Sequence, residues 1–368
     1  MIIKNLLYIS GDGVTRPKNK WKVYFNHFDI YSKNYFIAKA FKSLINESEL
    51  LNFSHNLRHP NYILYLESKN IPGSTFLRIK TKMFIDYCIY KIIIWKIKSN
   101  SYDLIIFSDN LFFINKRIMK KLKNISSSKI ILLSGISPKH LLTDRQKECT
   151  PYFDIIFISD PGHEVEWKKY GAQAVLCLPI SAGAPMTFQD ILSKYNSRKK
   201  YDIVFVGRLD MGANEYRIKI LNFLLTRGID IKIWTWSESN KIIEKYPLLK
   251  KQVIGSAYGE KMIQIIGQSK IVLNIHDPSV PKGGNMRLFE IPSAKSLQIA
   301  DKYPNDWFID GEEIVLYNDN EDLLKKINYY LKFDDERNRI SKNGYKRVTQ
   351  EHRFKHRVEK LLKCVHDL

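Results

Sequence analysis

Residues 271–301 read IVLNIHDPSVPKGGNMRLFEIPSAKSLQIAD: an apolar run fit for a buried strand, a loop bearing Gly283 and Gly284, and a helix that opens with Asn285, Arg287 and Glu290. This order sets backbone N–H groups, a guanidinium and a carboxylate around one strand end. The combination suits a phosphorylated, hydroxyl-bearing ligand such as a nucleotide sugar. Each residue type has its own reason. Gly283 and Gly284 allow positive φ and close approach of backbone amides to a diphosphate. Arg287 can meet phosphate as a bidentate fork, and Glu290, one turn into the helix, can accept hydrogen bonds from paired ribose hydroxyls. A plain turn followed by an exposed arginine–glutamate pair three residues apart fits the same letters.

Outward from this stretch, apolar runs of strand length alternate with helical periodicity along the whole chain. In the second half, strands are expected at 202–206, 231–234, 271–275, 297–300 and 313–316, with helices at 214–226, 258–267, 286–294 and 320–333. In the first half, strands fall at 5–10, 103–108, 130–134, 155–159 and 175–178, with helices at 32–45, 81–98, 116–124 and 162–170. Strands separated by helices predict an α/β fold with parallel, doubly wound sheets whose ligands gather at the strand C-termini. At 368 residues the chain exceeds what one hydrophobic core supports, and with 44% hydrophobic residues it can bury two. The expected division is a Rossmann-like domain at 1–184, a linker at 185–200 where SAGAP and NSRKK interrupt the pattern, a second Rossmann-like domain at 201–333, and a helical tail at 334–368.

Four segments, in order, resemble the nucleotide-binding domain of GT-B glycosyltransferases, in particular the CgeB-type (spore-maturation-like) group related to the glycosyl transferases of group 1. They are YDIVFVGRLD at 201–210, IIGQSKIVLNIHD at 265–277, GGNMRLFEIPSAKSLQIAD at 283–301, and the run from EEIVLYNDNEDLLKKINYYL to NGYKRVTQEHRFKHRVEKLL at 312–362. The resemblance implies a GT-B fold of two Rossmann-like domains facing a cleft, a nucleotide-sugar donor, retention of configuration, and a tail that crosses back to the first domain. It implies that Glu290 binds ribose and that Asn285 and Arg287 sit near the diphosphate. Gly207 would let the first strand's end approach the phosphates, and Arg208 stands at the position of a phosphate-binding arginine. The chain also departs from the pattern. Lys282 replaces the earlier glutamate of the related E-x7-E motif. Ala213 stands where a lysine is often found, which leaves Arg217 as its substitute. Lys295 replaces a glycine common after the glutamate helix.

Three further residues are candidates for chemistry. Asp12, between Gly11 and Gly13 after the first strand, reads as an acceptor-side or donor-phosphate contact, or as an ordinary turn. His163, with Asp160 and Glu164, follows a first-domain strand and reads as an acceptor-side group or a helix start. His276 follows the strand at 271–275 and reads as a donor-binding or catalytic side chain, or as a structural histidine. Should transfer invert the anomeric centre, Asp12, Asp109 and His163 are the candidate bases. His352 and His356 share one helical face, but Arg353, Lys355 and Arg357 around them repel a dication, so no metal ligand is assigned. Arg208, Arg287 and backbone amides can supply the countercharge of a diphosphate, so neither a metal nor another cofactor is expected, and the lone Gly-x-Gly does not justify NAD. The sequence shows no Ser-His-Asp order, no Walker A sequence and no D-x-D pair at a strand end, which argues against a hydrolase, a P-loop kinase and a metal-dependent GT-A enzyme.

The formal net charge of +21 bounds the partners. Such an excess suits nucleic acid or anionic lipid. Sixteen basic against six acidic residues lie in the first hundred, interleaved with aromatics. The segment 78–98, RIKTKMFIDYCIYKIIIWKIK, has the composition of a helix lying among lipid headgroups, and equally of a core helix rimmed by lysines. Four widely spaced cysteines fit a reduced cytoplasm. The opening MIIKNLLYIS is too short an apolar run for a signal peptide, and no transmembrane stretch is expected. These features together predict an enzyme of the cytoplasm or the inner membrane face that moves a sugar to a glycan or lipid-linked acceptor in cell-surface polysaccharide or glycoconjugate synthesis. The alternatives are a basic nucleic-acid-binding protein, though no RNA-recognition motif or zinc finger is present, and an inactive GT-B scaffold subunit.

Overall fold

The computed structural model describes residues 3–10, 33–45, 47–52, 74–108, 114–135, 137–179, 198–209, 215–235, 243–278, 280–301 and 306–367. The chain divides into two compact units, Met1–Ile180 with Arg357–Leu368, and Ser181–His356.

The first unit holds strands β1 (Asn5–Ser10), β2 (Glu47–Asn52), β3 (Leu104–Ser108), β4 (Lys129–Ser134), β5 (Ile155–Ile158) and β6 (Val175–Cys177), in the order β2-β1-β3-β4-β5-β6 with every pairing parallel. Leu6 to Ile9, Leu104 to Phe107 and Ile130 to Leu133 are buried without interruption. That is what a parallel sheet covered on both faces requires. Its helices include α1 (Lys33–Leu44), α2 (Ser74–Ser99), α3 (Lys116–Ile125) and α4 (Glu164–Lys169). α2 begins seven residues before the expected start. The strand ESELLN at 47–52, which pairs along β1 in register from Asn5 with Glu47, was not expected, because only its end is apolar.

The second unit holds β7 (Tyr201–Val206), β8 (Ile231–Trp234), β9 (Val253–Gly255), β10 (Ser269–Asn274), β11 (Leu297–Ala300) and β12 (Val315–Leu316) in the order β12-β11-β10-β7-β8-β9, again all parallel. β7 runs to β8 on one side, and the chain then crosses back to place β10 on the other. The carboxyl ends of β7 and β10 are therefore the topological switch point, where an open α/β sheet leaves a crevice for a ligand. Ile203, Phe205, Ile271, Leu273, Leu297 and Ile299 form the core with Ile218 and Leu221 of α5 (Glu215–Thr226) and with Leu323 and Ile327 of a later helix, Asn320–Lys332. β9 and the short helix α6 (Pro247–Gln252) are additions to the expected elements. Between β9 and β11 lie α7 (Gly259–Gly267) and α8 (Arg287–Ser293); α9 (Asn320–Lys332), α10 (Asp334–Glu351) and α11 (Phe354–His366) complete the chain.

The tail divides within its last helix. α10 packs on α8 and β11 of the second unit, burying Ile340, Gly344 and Val348, and only Arg357–Leu368 groups with the first unit. Gly344 permits that packing, because a Cβ there would run into the Glu313 carbonyl oxygen.

Candidate active site

At the end of β7, the Gly207 amide donates to the Trp234 carbonyl (3.0 Å), continuing the ladder one residue past the strand. A Cβ on Gly207 would lie 2.8 Å from the Phe205 ring, so glycine lets the chain turn tightly over its own strand. Arg208 follows, exposed. Arg217, on the first turn of α5, donates from Nε to the Ile275 carbonyl (2.8 Å) and from Nη1 to the Arg208 carbonyl (3.2 Å). One guanidinium thus ties the loop after β7 to the loop after β10. Burial pushes the pKa of Arg217 down, Asp277 and Asp301 pull it up, and the charges of Arg208 and Arg287 add to the lowering. Arg208 and Arg287 thus both bear on Arg217 at the switch point.

The third is Arg287. Its Nε donates to the Val206 carbonyl at the end of β7 (3.1 Å), and its Nη1 donates to the Glu290 carboxylate in a short contact. Glu290 is buried, as a carboxylate can be when a guanidinium partner replaces water. The pairing uses Oε2 and leaves Oε1 without a partner among the described residues. Arg287 is accordingly a positioning group for Glu290 as well as a cation.

Asn285, expected beside the diphosphate, acts first on the backbone. Its Oδ1 accepts from the Leu288 amide (3.1 Å), and its Nδ2 donates to Asn274 Oδ1 (2.8 Å). Asn274 Nδ2 in turn donates to Gln298 Oε1 (3.3 Å), so a buried amide chain links the helix start to β10 and β11. The amides of Leu288, Phe289 and Glu290 all donate to Asn285 or Met286 carbonyls, so these three are paired within the helix start. Neither Gly283 nor Gly284 uses the positive φ open to it. At Gly284 the reason for glycine is packing, since a Cβ would collide with Leu288 and approach Trp307 to 2.9 Å.

His276 lies just beyond β10, with its side chain fully buried. Asp301, at the end of β11, accepts from the His276 amide at both oxygens (3.1 Å each), and its Oδ1 lies 2.5 Å from His276 Nδ1. An ionised carboxylate can only accept, so Nδ1 carries the proton and Nε2 faces the other way. His276 and Asp301 line a cavity of about 280 Å³ together with Tyr216, Pro278, Tyr317 and Asn318. Burial and the charge of Asp301 push up the pKa of both the Tyr216 and Tyr317 phenols, which keeps them neutral donors. His276 Nε2 and the Tyr317 hydroxyl are buried with no partner among the described residues.

Gly207, Arg208, Arg217, His276, Asn285, Arg287 and Glu290 thus gather around the carboxyl ends of β7 and β10. His163 belongs to the first unit. It sits in the turn Pro161–His163 after β5, buried, its amide donating to the Asp160 carbonyl (3.1 Å). Asp12, with Gly11, Gly13 and Asp109, lies outside the described residues. His352 is engaged elsewhere, with its Nε2 2.7 Å from the Trp307 carbonyl and its ring against Phe289 and Phe308. Asn274, Gln298, Asp301, Tyr216 and Tyr317 were not singled out by the sequence reading. A signal existed for two of them: Asn274 and Asp301 are the polar letters that close the apolar runs IVLN and LQIAD.

Residues 217–363 match a protein family described as glycosyl transferase-like. No curated protein matches the sequence. Among solved structures, a glycosyltransferase from Rickettsia africae is 12% identical, covers 98% of this chain and 97% of its own, and superposes with a TM-score of 0.63. HepE of Anabaena, solved in complex with UDP-glucose, is 11% identical over 99% of this chain and 100% of its own, with a TM-score of 0.60. An α,α-trehalose-phosphate synthase (UDP-forming) from Burkholderia vietnamiensis is 10% identical over 98% of each chain, with a TM-score of 0.61. The chain has the GT-B fold, and most of its second half is similar to a family described as glycosyl transferase-like.

Proposed function

We propose that this protein moves a sugar from a nucleoside diphosphate donor to a hydroxyl of a glycan or lipid-linked acceptor, with retention of configuration and without a metal ion, as a member of the CgeB-type group. The observation that carries the reading is the gathering of Arg208, Arg217 and Arg287 with the buried Glu290 at the switch point of the second sheet. Glu290 Oε1 accepts from a ribose hydroxyl while Oε2 stays on Arg287. The guanidinium groups offset the charge that builds on the diphosphate as the bond between the anomeric carbon and the phosphate oxygen breaks. The acceptor oxygen forms the new bond to that carbon, and its proton leaves to the departing diphosphate. His276, held by Asp301, presents Nε2 to the donor sugar as an acceptor or, once protonated, as a donor. The UDP-glucose complex of the Anabaena protein supports a uridine nucleotide as the donor half. The four ordered segments from 201 to 362 support the CgeB-type assignment.

The test is to follow donor cleavage by proton NMR with UDP-glucose and related sugars, in buffer containing a chelator. The expected result is release of UDP with a sugar product of the donor's own anomeric configuration. Inverted product would overturn the stereochemical part, and strict dependence on an added divalent cation the metal-free part. Tight nucleotide binding with no turnover on any donor would point to a scaffold subunit.

A further inference from the structure

Helix α2 of the first unit has two halves of opposite character. Toward its C-terminus Ile89, Ile93, Ile94 and Ile97 are buried in the core. Toward its N-terminus it turns large apolar side chains outward: Phe76 is 65% exposed, Met83 62% and Phe84 66%, with Ile79 and Tyr87 beside them. A contiguous exposed apolar patch of this kind marks an interaction surface. α3 runs alongside, anchored by buried Met119 and Leu122, and Asn115 caps it by accepting from the Ile118 amide. Between the two helices lies an open groove of about 640 Å³ lined by Lys91, Arg117, Lys120, Lys121 and Arg145, with Asp86 the one carboxylate in its wall. None of those five cations forms an ion pair with a carboxylate among the described residues. Two lysine ammonium groups also sit over aromatic rings, Lys80 Nζ being 5.3 Å from the Phe76 ring centre and Lys91 Nζ 5.2 Å from that of Tyr87. These cation–π contacts set positive charge directly beside the apolar surface.

We infer that this face of the first unit docks on an anionic lipid bilayer, with the basic groove over the phosphate headgroups and Phe76, Met83 and Phe84 entering the acyl boundary. No helix among the described residues is long and apolar enough to cross a membrane, so the contact lies on the surface. Charge complementarity chooses an anionic partner, and the apolar patch chooses among anionic partners. Nucleic acid would satisfy the five cations and leave the aromatic and aliphatic side chains against water, whereas a bilayer receives both. The inference stands independently of the sugar-transfer reading, because it uses no residue of the second unit.

The test is co-sedimentation of the full chain with vesicles of phosphatidylcholine alone and of phosphatidylcholine mixed with phosphatidylglycerol, at low and high salt. The expected result is binding to the mixed vesicles only, weakened by salt. Each basic residue near an anionic surface raises association roughly fivefold, so the double variant Lys120→Ala/Lys121→Ala should bind about twenty- to thirty-fold more weakly. Phe84→Ser should lose binding at high salt, where the apolar contact dominates. All three positions are exposed, and unchanged thermal unfolding verifies that the variants fold. Absence of binding to the mixed vesicles, or equal binding by wild type and both variants, overturns the inference. So does a result in which single-stranded RNA binds through Lys120 and Lys121 while vesicles do not, or in which the Phe84 face only joins two copies of the chain.

Discussion

At the scale of single residues, the site rests on a carboxylate and a guanidinium that hold each other. Arg287 and Glu290 were legible in the sequence because they are charged letters opening an otherwise apolar helix, RLFEIPS. Their mutual pairing was legible only as the alternative reading of an exposed i, i+3 pair; the pair exists, but it is mostly buried, at the switch point of the second sheet. Asp301 escaped notice because an aspartate after a strand reads as a turn residue. Lys295 shows how a departure from a family pattern translates into backbone energy. It has φ of 57° just after α8, the left-handed position that favours glycine, and it is the one non-glycine residue with positive φ among those described. The lysine ammonium lies 4.5 Å from the Tyr345 ring centre, which offsets part of the strain. Lys295→Gly is expected to raise stability by about 0.5–1 kcal/mol in denaturant unfolding, the cost of holding a Cβ in that region less the lost ring contact.

At the scale of elements, long apolar strands and periodic helices were read within a few residues, the start of α2 excepted, whereas the edge strands β2 and β9 were not. A three-residue edge strand such as VIG at 253–255 carries too little pattern to stand out, and its place is set by pairing with β8. The close approach of α10 to the turn at Glu313 is one that a sequence cannot disclose, because Gly344 looks like a helix interruption until the Glu313 carbonyl is seen against it. Gly344→Ala should therefore destabilise the second unit by about 1–3 kcal/mol rather than stabilise a helix, as thermal or denaturant unfolding will show. Lys199, just before β7, donates to the Gly267 and Lys295 carbonyls (2.9 and 3.1 Å) and to Ser296 Oγ (3.1 Å), tying the end of α7 and the segment after α8 to the start of β7. Burial, helped by Arg337, pushes its pKa from 10.5 down to about 8. Between these values the unfolded chain holds the proton that the folded chain has released, so folding gains from each rise in pH. Relative to Lys199→Met, the wild type should gain stability from about pH 8 to 10.5 and show no change in the difference below pH 7.

At the scale of the whole molecule, two parallel sheets in one chain were legible because the alternation of strand and helix repeats twice with a polar break between. The side-chain web of the site was less so. Gly207, Arg208, Arg217, Arg287 and Glu290 come from segments up to 83 residues apart in number, and only the strand order β10-β7-β8 makes neighbours of them. Packing also gives structural roles to residues whose chemistry looked functional: Gly284 makes room for Leu288 and Trp307, and Asn285 caps a turn. The proposed ligand contacts rest on the guanidinium cluster, Glu290 Oε1 and the cavity beside His276. The measurement that bears most directly on this account is a thermal-shift screen with UDP, GDP, CMP, dTDP and ADP, with and without magnesium, on wild type and Glu290→Ala. The account predicts that one nucleotide raises the unfolding temperature of the wild type without magnesium, and that the shift is lost in Glu290→Ala, because only the folded site binds. An equal shift in the variant, or none with any nucleotide in the wild type, would contradict it.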